Sequence, residues 1–120
     1  RTPIRQPTPD RAPEPMAQGF TDREGVLHAG DIPLPALAQE YGTPLYIYDA
    51  AIIRANVLRL RQALAAAGRE PLIAFACKAN SNLAVLKLLG NMGLGCDVVS
   101  GGELERAIRA GIAPDKIVYS

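Results

Sequence analysis

The feature that most constrains this chain is a strand–helix alternation that fills its last fifty residues. Leu72–Cys77, Cys96–Val99 and Ile117–Tyr119 are short apolar runs that read as strands, with starts near positions 72, 95 and 117, a repeat of about 22 residues. Between them, Leu83–Leu89 and Leu104–Ala110 read as helices, the second closed by Gly111. A connection that contains a helix cannot close a hairpin. The strands are therefore expected to run parallel, with the helices packed outside them. The predicted fold class is α/β.

Length limits how much of such a fold is present. A closed eight-stranded α/β barrel needs about 250 residues, and the chain has 120. Its last residue, Ser120, follows the third predicted strand with no helix to cover it, so the chain is expected to be an incomplete piece. Half of its ten prolines lie within residues 1–18 (Pro3, Pro7, Pro9, Pro13 and Pro15), among few large apolar residues. That composition cannot build a core, and residues 1–18 are read as a disordered tail.

From Phe20 onward the text changes. Val26 and Leu27 ahead of Gly30-Asp31 predict a short strand or hairpin edge over 24–32. Pro35–Tyr41 predicts a short helix stopped by Gly42, and Leu45-Tyr46-Ile47-Tyr48 predicts a strand. Asp49 is the expected N-cap of a longer helix, in which Ile53, Val57, Leu60 and Leu64 recur on one face and which Gly68 ends. Arg54, Arg59 and Arg61 fall largely off that stripe and read as a solvated edge.

Charge and cysteine content exclude several functions. The tail carries the net +1 of the whole chain, which leaves ten basic and ten acidic residues in the remainder. A neutral body argues against nucleic acid as the main partner. No apolar run reaches the roughly 18–20 residues of a membrane span, so no membrane partner is expected. Cys77 and Cys96 lie within apolar runs and read as buried free thiols, in keeping with a cytoplasmic location. The single histidine, His28, lies upstream of the alternating region, which argues against a histidine metal cluster or a serine–histidine triad.

Two positions in the strands invite chemistry. Alternation puts Ile73, Phe75 and Cys77 on one face, and Ala74, Ala76 and Lys78 on the other. Lys78 thus stands at the C-terminal end of a parallel strand, the end that forms active faces in such folds. It can reach a ligand there, or simply extend into solvent. Asp97 interrupts an apolar strand, where an unpaired carboxylate would cost several kcal/mol. Its expected partner is Lys78 on the neighbouring strand, or else backbone. Ser100-Gly101-Gly102-Glu103 has the spacing of a capping box at a helix start.

These segments together resemble a family. Phe75-Ala76-Cys77-Lys78-Ala79-Asn80-Ser81-Asn82 is similar to the cofactor-lysine segment of the fold-type III pyridoxal-phosphate decarboxylases, which share the alanine-racemase barrel. Cys96-Asp97-Val98-Val99-Ser100-Gly101-Gly102-Glu103-Leu104 resembles their second barrel strand, and Thr43-Pro44-Leu45-Tyr46-Ile47-Tyr48-Asp49 the head of the barrel in diaminopimelate decarboxylases. The resemblance runs from about Val26 to Ser120. It implies the N-terminal part of a parallel (β/α)8 TIM barrel over 49–120, preceded at 19–48 by lead-in strands of a β domain.

The implied activity is decarboxylation of meso-2,6-diaminopimelate to L-lysine and carbon dioxide, with pyridoxal 5'-phosphate as cofactor. Lys78 would hold that cofactor, through an amine kept neutral by burial in the barrel mouth. Asp97 would lie close to both, and Glu103 would be an acidic residue near the site. The substrate would be a small amino acid and the whole enzyme a homodimer with shared sites. The phosphate loop, the acid at the pyridine nitrogen and the stacking histidine come later in the family's chains, so 120 residues alone are expected to release no carbon dioxide. Two other readings remain open here. One is a different fold-type III enzyme, acting on ornithine, arginine or a polyamine precursor, or a racemase. The other is a non-catalytic α/β binding module in which Lys78 is a surface lysine.

Overall fold

A computed structural model describes residues 19–120, so the expected tail over 1–18 lies outside the described residues. The chain divides into two compact units, with the boundary between Ala55 and Asn56. The first holds an antiparallel meander of β1 (Phe20–Arg23), β2 (Val26–Ala29) and β3 (Ile32–Pro33). Glu24 and Gly25 both have positive φ, the geometry of a two-residue turn whose twist matches the flanking strands. The Asp22 carboxylate fastens that turn by accepting the Gly25 N–H at 2.9 Å. Helix α1 (Leu34–Tyr41) follows at once and ends where the Gly42 N–H reaches Ala38 O at 2.9 Å. Hairpin edge and helix lie where the sequence places them.

The predicted strand at Leu45–Tyr48 does not form. Residues 45–49 have no regular structure, and Tyr46 is 86% exposed. β-branched and aromatic residues favour a pleated surface only when a neighbouring strand supplies the ladder, and no described strand pairs with this run. Helix α2 (Ala50–Ala66) then starts as expected: Asp49 Oδ1 accepts the N–H groups of Ala51 and Ile52 at 2.6 and 3.2 Å. Its predicted apolar stripe is only partly covered. Val57 is buried, but Leu60 is 47% exposed.

The second unit contains the alternating region. Strands β4 (Ala74–Ala76), β5 (Gly95–Val98) and β6 (Ile117–Tyr119) form a parallel sheet in that order, joined through helices α3 (Leu83–Asn91) and α4 (Gly101–Arg109). The predicted α/β class and the parallel pairing therefore hold. The first strand is shorter than predicted, because the chain leaves the ladder after Ala76 and coils into a 3-10 turn over Cys77–Ala79.

One face of this sheet and the inner sides of α3 and α4 make the core. Leu86, Cys77, Cys96, Val98 and Ala107 are fully buried there, with Phe75, Leu104 and Ile117 packed against them. Burying a side chain such as Leu86 or Val98 contributes about 1.5–3 kcal/mol.

Cys77 and Cys96 are both free and buried, as the sequence predicts. Burial pushes the Cys96 thiol up to about 12, with the neighbouring Cys77 adding to the effect, and burial raises Cys77 as well. A thiol raised in the fold favours the folded state while it stays protonated. That contribution is complete below the ordinary value of 9.0 and falls away as pH rises from there towards 12. Neither cysteine is expected to react with a disulfide reagent at pH 8 within minutes, whereas both should react at once in denaturant. Rapid labelling of the native protein at Cys77 or Cys96 would contradict the packing described.

Candidate functional site

Sheet register sorts the strand residues into two faces. Paired residues point the same way, and the pairs are Ala74↔Gly95, Ala76↔Asp97 and Asp97↔Val118. The face away from the core thus carries Ala74, Ala76, Gly95, Asp97 and Val118, four apolar residues of small to medium size around one carboxylate. Ser120 extends the same face at the C-terminal end of the sheet, and Lys78 stands in the turn that follows β4 at that end.

Local hydrogen bonding explains why Lys78 sits where it does. The Asn80 N–H reaches Cys77 O at 3.1 Å and closes the 3-10 turn around Lys78. Asn80 Oδ1 then accepts the Asn82 N–H at 3.0 Å. Asn82 Oδ1 in turn caps α3, accepting from Ala84 and Val85 at 2.9 and 3.3 Å. Arg106 of α4 donates to Ser81 O at 3.2 Å and ties this loop to the next helix. The sequence reading missed Asn82, although an Asn just ahead of an apolar helical run is a recognisable cap signal.

Lys78 is exposed and lies on the turn rather than within the strand. Residues 19–120 therefore do not supply the burial that the resemblance implies for its amine. The ion pairs among the described residues join Arg23 to Asp31 and Arg109 to Glu105, and Lys78 takes part in neither.

Asp97 is half-buried, and its partner is not the one expected. Its Oδ1 accepts the Ser120 hydroxyl at 2.8 Å, and Lys78 is not within ion-pair distance. The reason is positional: Lys78 has turned off the ladder after Ala76, while Ser120 continues the line of β6 through its N–H to Val98 O at 3.2 Å.

Glu103 and Ser100 form the expected helix-start box with one change. Ser100 Oγ accepts the Glu103 N–H at 3.2 Å, while Glu103 Oε2 accepts the N–H of Val99, one residue before the cap, at 2.8 Å. One Glu103 oxygen is thus committed to holding the β5–α4 loop. Lys78 stands in the turn after β4, Asp97 near the C-terminal end of β5, and Glu103 in the first turn of α4, which follows β5.

The opposite end of the sheet holds a cleft of about 400 Å³ among Arg61, Arg69, Ile73 and Lys116. Two of its cations are engaged in structure. Arg61 donates to Met92 O, and Lys116 Nζ donates to Gly93 O at 3.2 Å, both at the C-terminal end of α3, where cations offset the helix dipole. The chemistry-bearing residues lie at the other end.

Known proteins are similar to this chain in sequence and fold. The chain is 46% identical over 102 residues to a diaminopimelate decarboxylase of Zymomonas mobilis, and 48% identical over 101 residues to that of Pseudomonas fluorescens. Each match covers 84% of this chain and 24% of the relative, so the chain spans about a quarter of the length of these curated relatives. A crystal structure of diaminopimelate decarboxylase from M. jannaschii in complex with L-lysine superposes with a TM-score of 0.78. It is 36% identical and matches over 83% of this chain and 24% of its own length. Residues 50–120 match the family model described as the pyridoxal binding domain of pyridoxal-dependent decarboxylases. That match takes in the parallel sheet, the Lys78 turn and both flanking helices, and the chain belongs to this family.

Proposed function

We propose that residues 19–120 supply the lysine-bearing first part of a diaminopimelate decarboxylase, with Lys78 as the residue that holds pyridoxal phosphate. The observation that carries this reading is the position of Lys78: an exposed amine, in no ion pair among the described residues, in the turn at the C-terminal end of a parallel strand. Residues 49–120 are taken as the first helix and first three strands of a barrel, and 19–48 as strands of a β domain.

The residues present fit such a cofactor. Lys78 offers a primary amine in the turn after β4, Ala74, Ala76 and Gly95 leave room on the sheet face away from the core, and Asp97 places a carboxylate on that face. Pyridoxal phosphate, when bound, supplies an electron sink for the pair released as the carbon–carboxylate bond breaks. Lys78 would hold it through its amine nitrogen, which bonds only as the neutral amine. Glu103 holds the β5–α4 loop against the site through Val99.

The substrate is taken to be meso-diaminopimelate and the product L-lysine, supported by the names of the relatives and by the L-lysine in the M. jannaschii complex. A homodimer with shared sites belongs to the same reading. So does a cytoplasmic location, with which two buried free thiols agree. No helix among the described residues is long and apolar enough to cross a membrane.

The test uses the complete protein that contains these residues. Borohydride reduction in the presence of pyridoxal phosphate is expected to fix the label on the peptide bearing Lys78. Carbon dioxide release is expected from diaminopimelate and not from ornithine or arginine. Labelling elsewhere would remove Lys78 from its role, and turnover of ornithine in preference would replace the substrate.

A further inference from the structure

Lys78 stands outside the β4–β5 ladder, so pairing between those strands does not fix its backbone. Residues 77–82 are held in other ways. At their start, Cys77 is fully buried in the core. At their end, Asn80 and Asn82 close the turn and cap α3 through bonds that are local in sequence. Between them stands the half-buried Ser81. Asn80 and Asn82 on either side are extended, and no backbone N–H among the described residues donates to the Ser81 carbonyl. Its donor is Arg106 Nη1, at 3.2 Å and 25 residues further along the chain.

Helix α4 is well placed to supply that donor. It packs directly on the turn, while Leu104 and Ala107 fasten it to the core and the Ser100–Glu103 box fastens its start to the end of β5. Neighbouring carboxylates do not draw Arg106 away: Glu103 accepts from Val99, and Glu105 is paired with Arg109. Among the side-chain hydrogen bonds of the described residues, Arg106 to Ser81 is the only one joining 77–82 to an element that does not adjoin it in sequence. We infer that Arg106 is a positioning residue: by holding Ser81 O it ties the Lys78 turn to α4 and keeps the amine in register with the end of the sheet. This rests on the reading of Lys78 given above.

The inference is tested on the complete protein stripped of cofactor, by two measurements. The first is deuterium exchange at the Asn80 and Asn82 amides. Both are hydrogen-bonded within the turn, at 3.1 and 3.0 Å, so their exchange reports its opening. The second is the rate of capture of added pyridoxal phosphate, read by absorbance, with its position read by borohydride and peptide mapping. In capture the Lys78 nitrogen bonds to the aldehyde carbon, and the aldehyde oxygen departs as water with the two amine hydrogens.

Arg106→Ala is expected to speed exchange at both amides and to slow capture, each by up to about fivefold, the factor that one hydrogen bond of typical net strength sets on the population of the closed turn. Exchange within β5 should stay as it was. Ser81 O takes a single bond rather than a bidentate pair, so Arg106→Lys, which keeps a charged donor, should restore most of both effects. Faster exchange across β5 as well would mean a general loosening of the sheet and would overturn the inference. So would unslowed capture in Arg106→Ala, or an Arg106→Lys no better than Ala. Capture at Lys78 with these failures leaves the functional reading standing. Absence of capture at Lys78 in the unsubstituted protein overturns both.

Discussion

Lys78→Ala in the complete protein is expected to lower decarboxylation by at least about a thousandfold, since removing a nucleophile that nothing else replaces costs on that order or more. The fold should be indifferent. Lys78 is exposed and in no ion pair among the described residues, so the substitution removes neither core volume nor a charge paired there. Lys78→Arg sharpens the point. It keeps the positive charge and most of the length, but guanidinium stays protonated at any working pH and cannot act as the amine does. Both variants are expected to unfold at the unsubstituted temperature and to yield no borohydride-fixed label at position 78. Activity within tenfold of the unsubstituted protein in either variant would reduce Lys78 to a surface residue and favour a binding module instead.

How much of this was legible before the structure depends on the range over which each feature is determined. The strands at Gly95–Val98 and Ile117–Tyr119, the cap at Asp49 and the box at Ser100–Glu103 are local, set by residues within about one turn of one another. Parallel pairing was legible because a helical connection leaves no other arrangement. Leu45–Tyr48 misled for the opposite reason: its composition suits a strand, but a strand is a pairing, and pairing is not a property of the segment alone.

The site shows the same division. Lys78 and Asp97 could be singled out from alternation and from a charge among apolar residues. Their mutual pairing could not be read, because it turns on where the ladder stops. A shift from strand to 3-10 turn after Ala76 moves Lys78 off the row that pairs with β5. Ser120 stands 23 residues from Asp97 and has no local signature, so only the register of β6 brings its hydroxyl to the carboxylate.

That register depends on Gly95, and Gly95→Ala is expected to destabilise the protein by about 3 kcal/mol, the upper part of the range for forcing an extra methyl into a packed site. Gly95 has an ordinary negative φ, so conformational freedom is not its function. Close approach is: a Cβ at this position would stand 2.1 Å from the carbonyl oxygen of Lys116 and 3.2 Å from its Cβ. The obstacle is backbone, which cannot swing aside as a side-chain tip does. β6 would have to withdraw at its first rung, Cys96↔Ile117, and the displacement would pass along the strand to Ser120 and its hold on Asp97.

Gly102→Ala provides the contrast, since a Cβ there meets nothing within 4 Å and the residue is helical. It should be neutral or stabilise by up to about 1 kcal/mol. Urea unfolding of the two variants measures the difference. Equal midpoints would mean that the approach of β6 to β5 is looser than the register indicates. A large loss at Gly95 beside an unchanged Gly102 variant would locate the constraint in the close approach of Lys116 to β5.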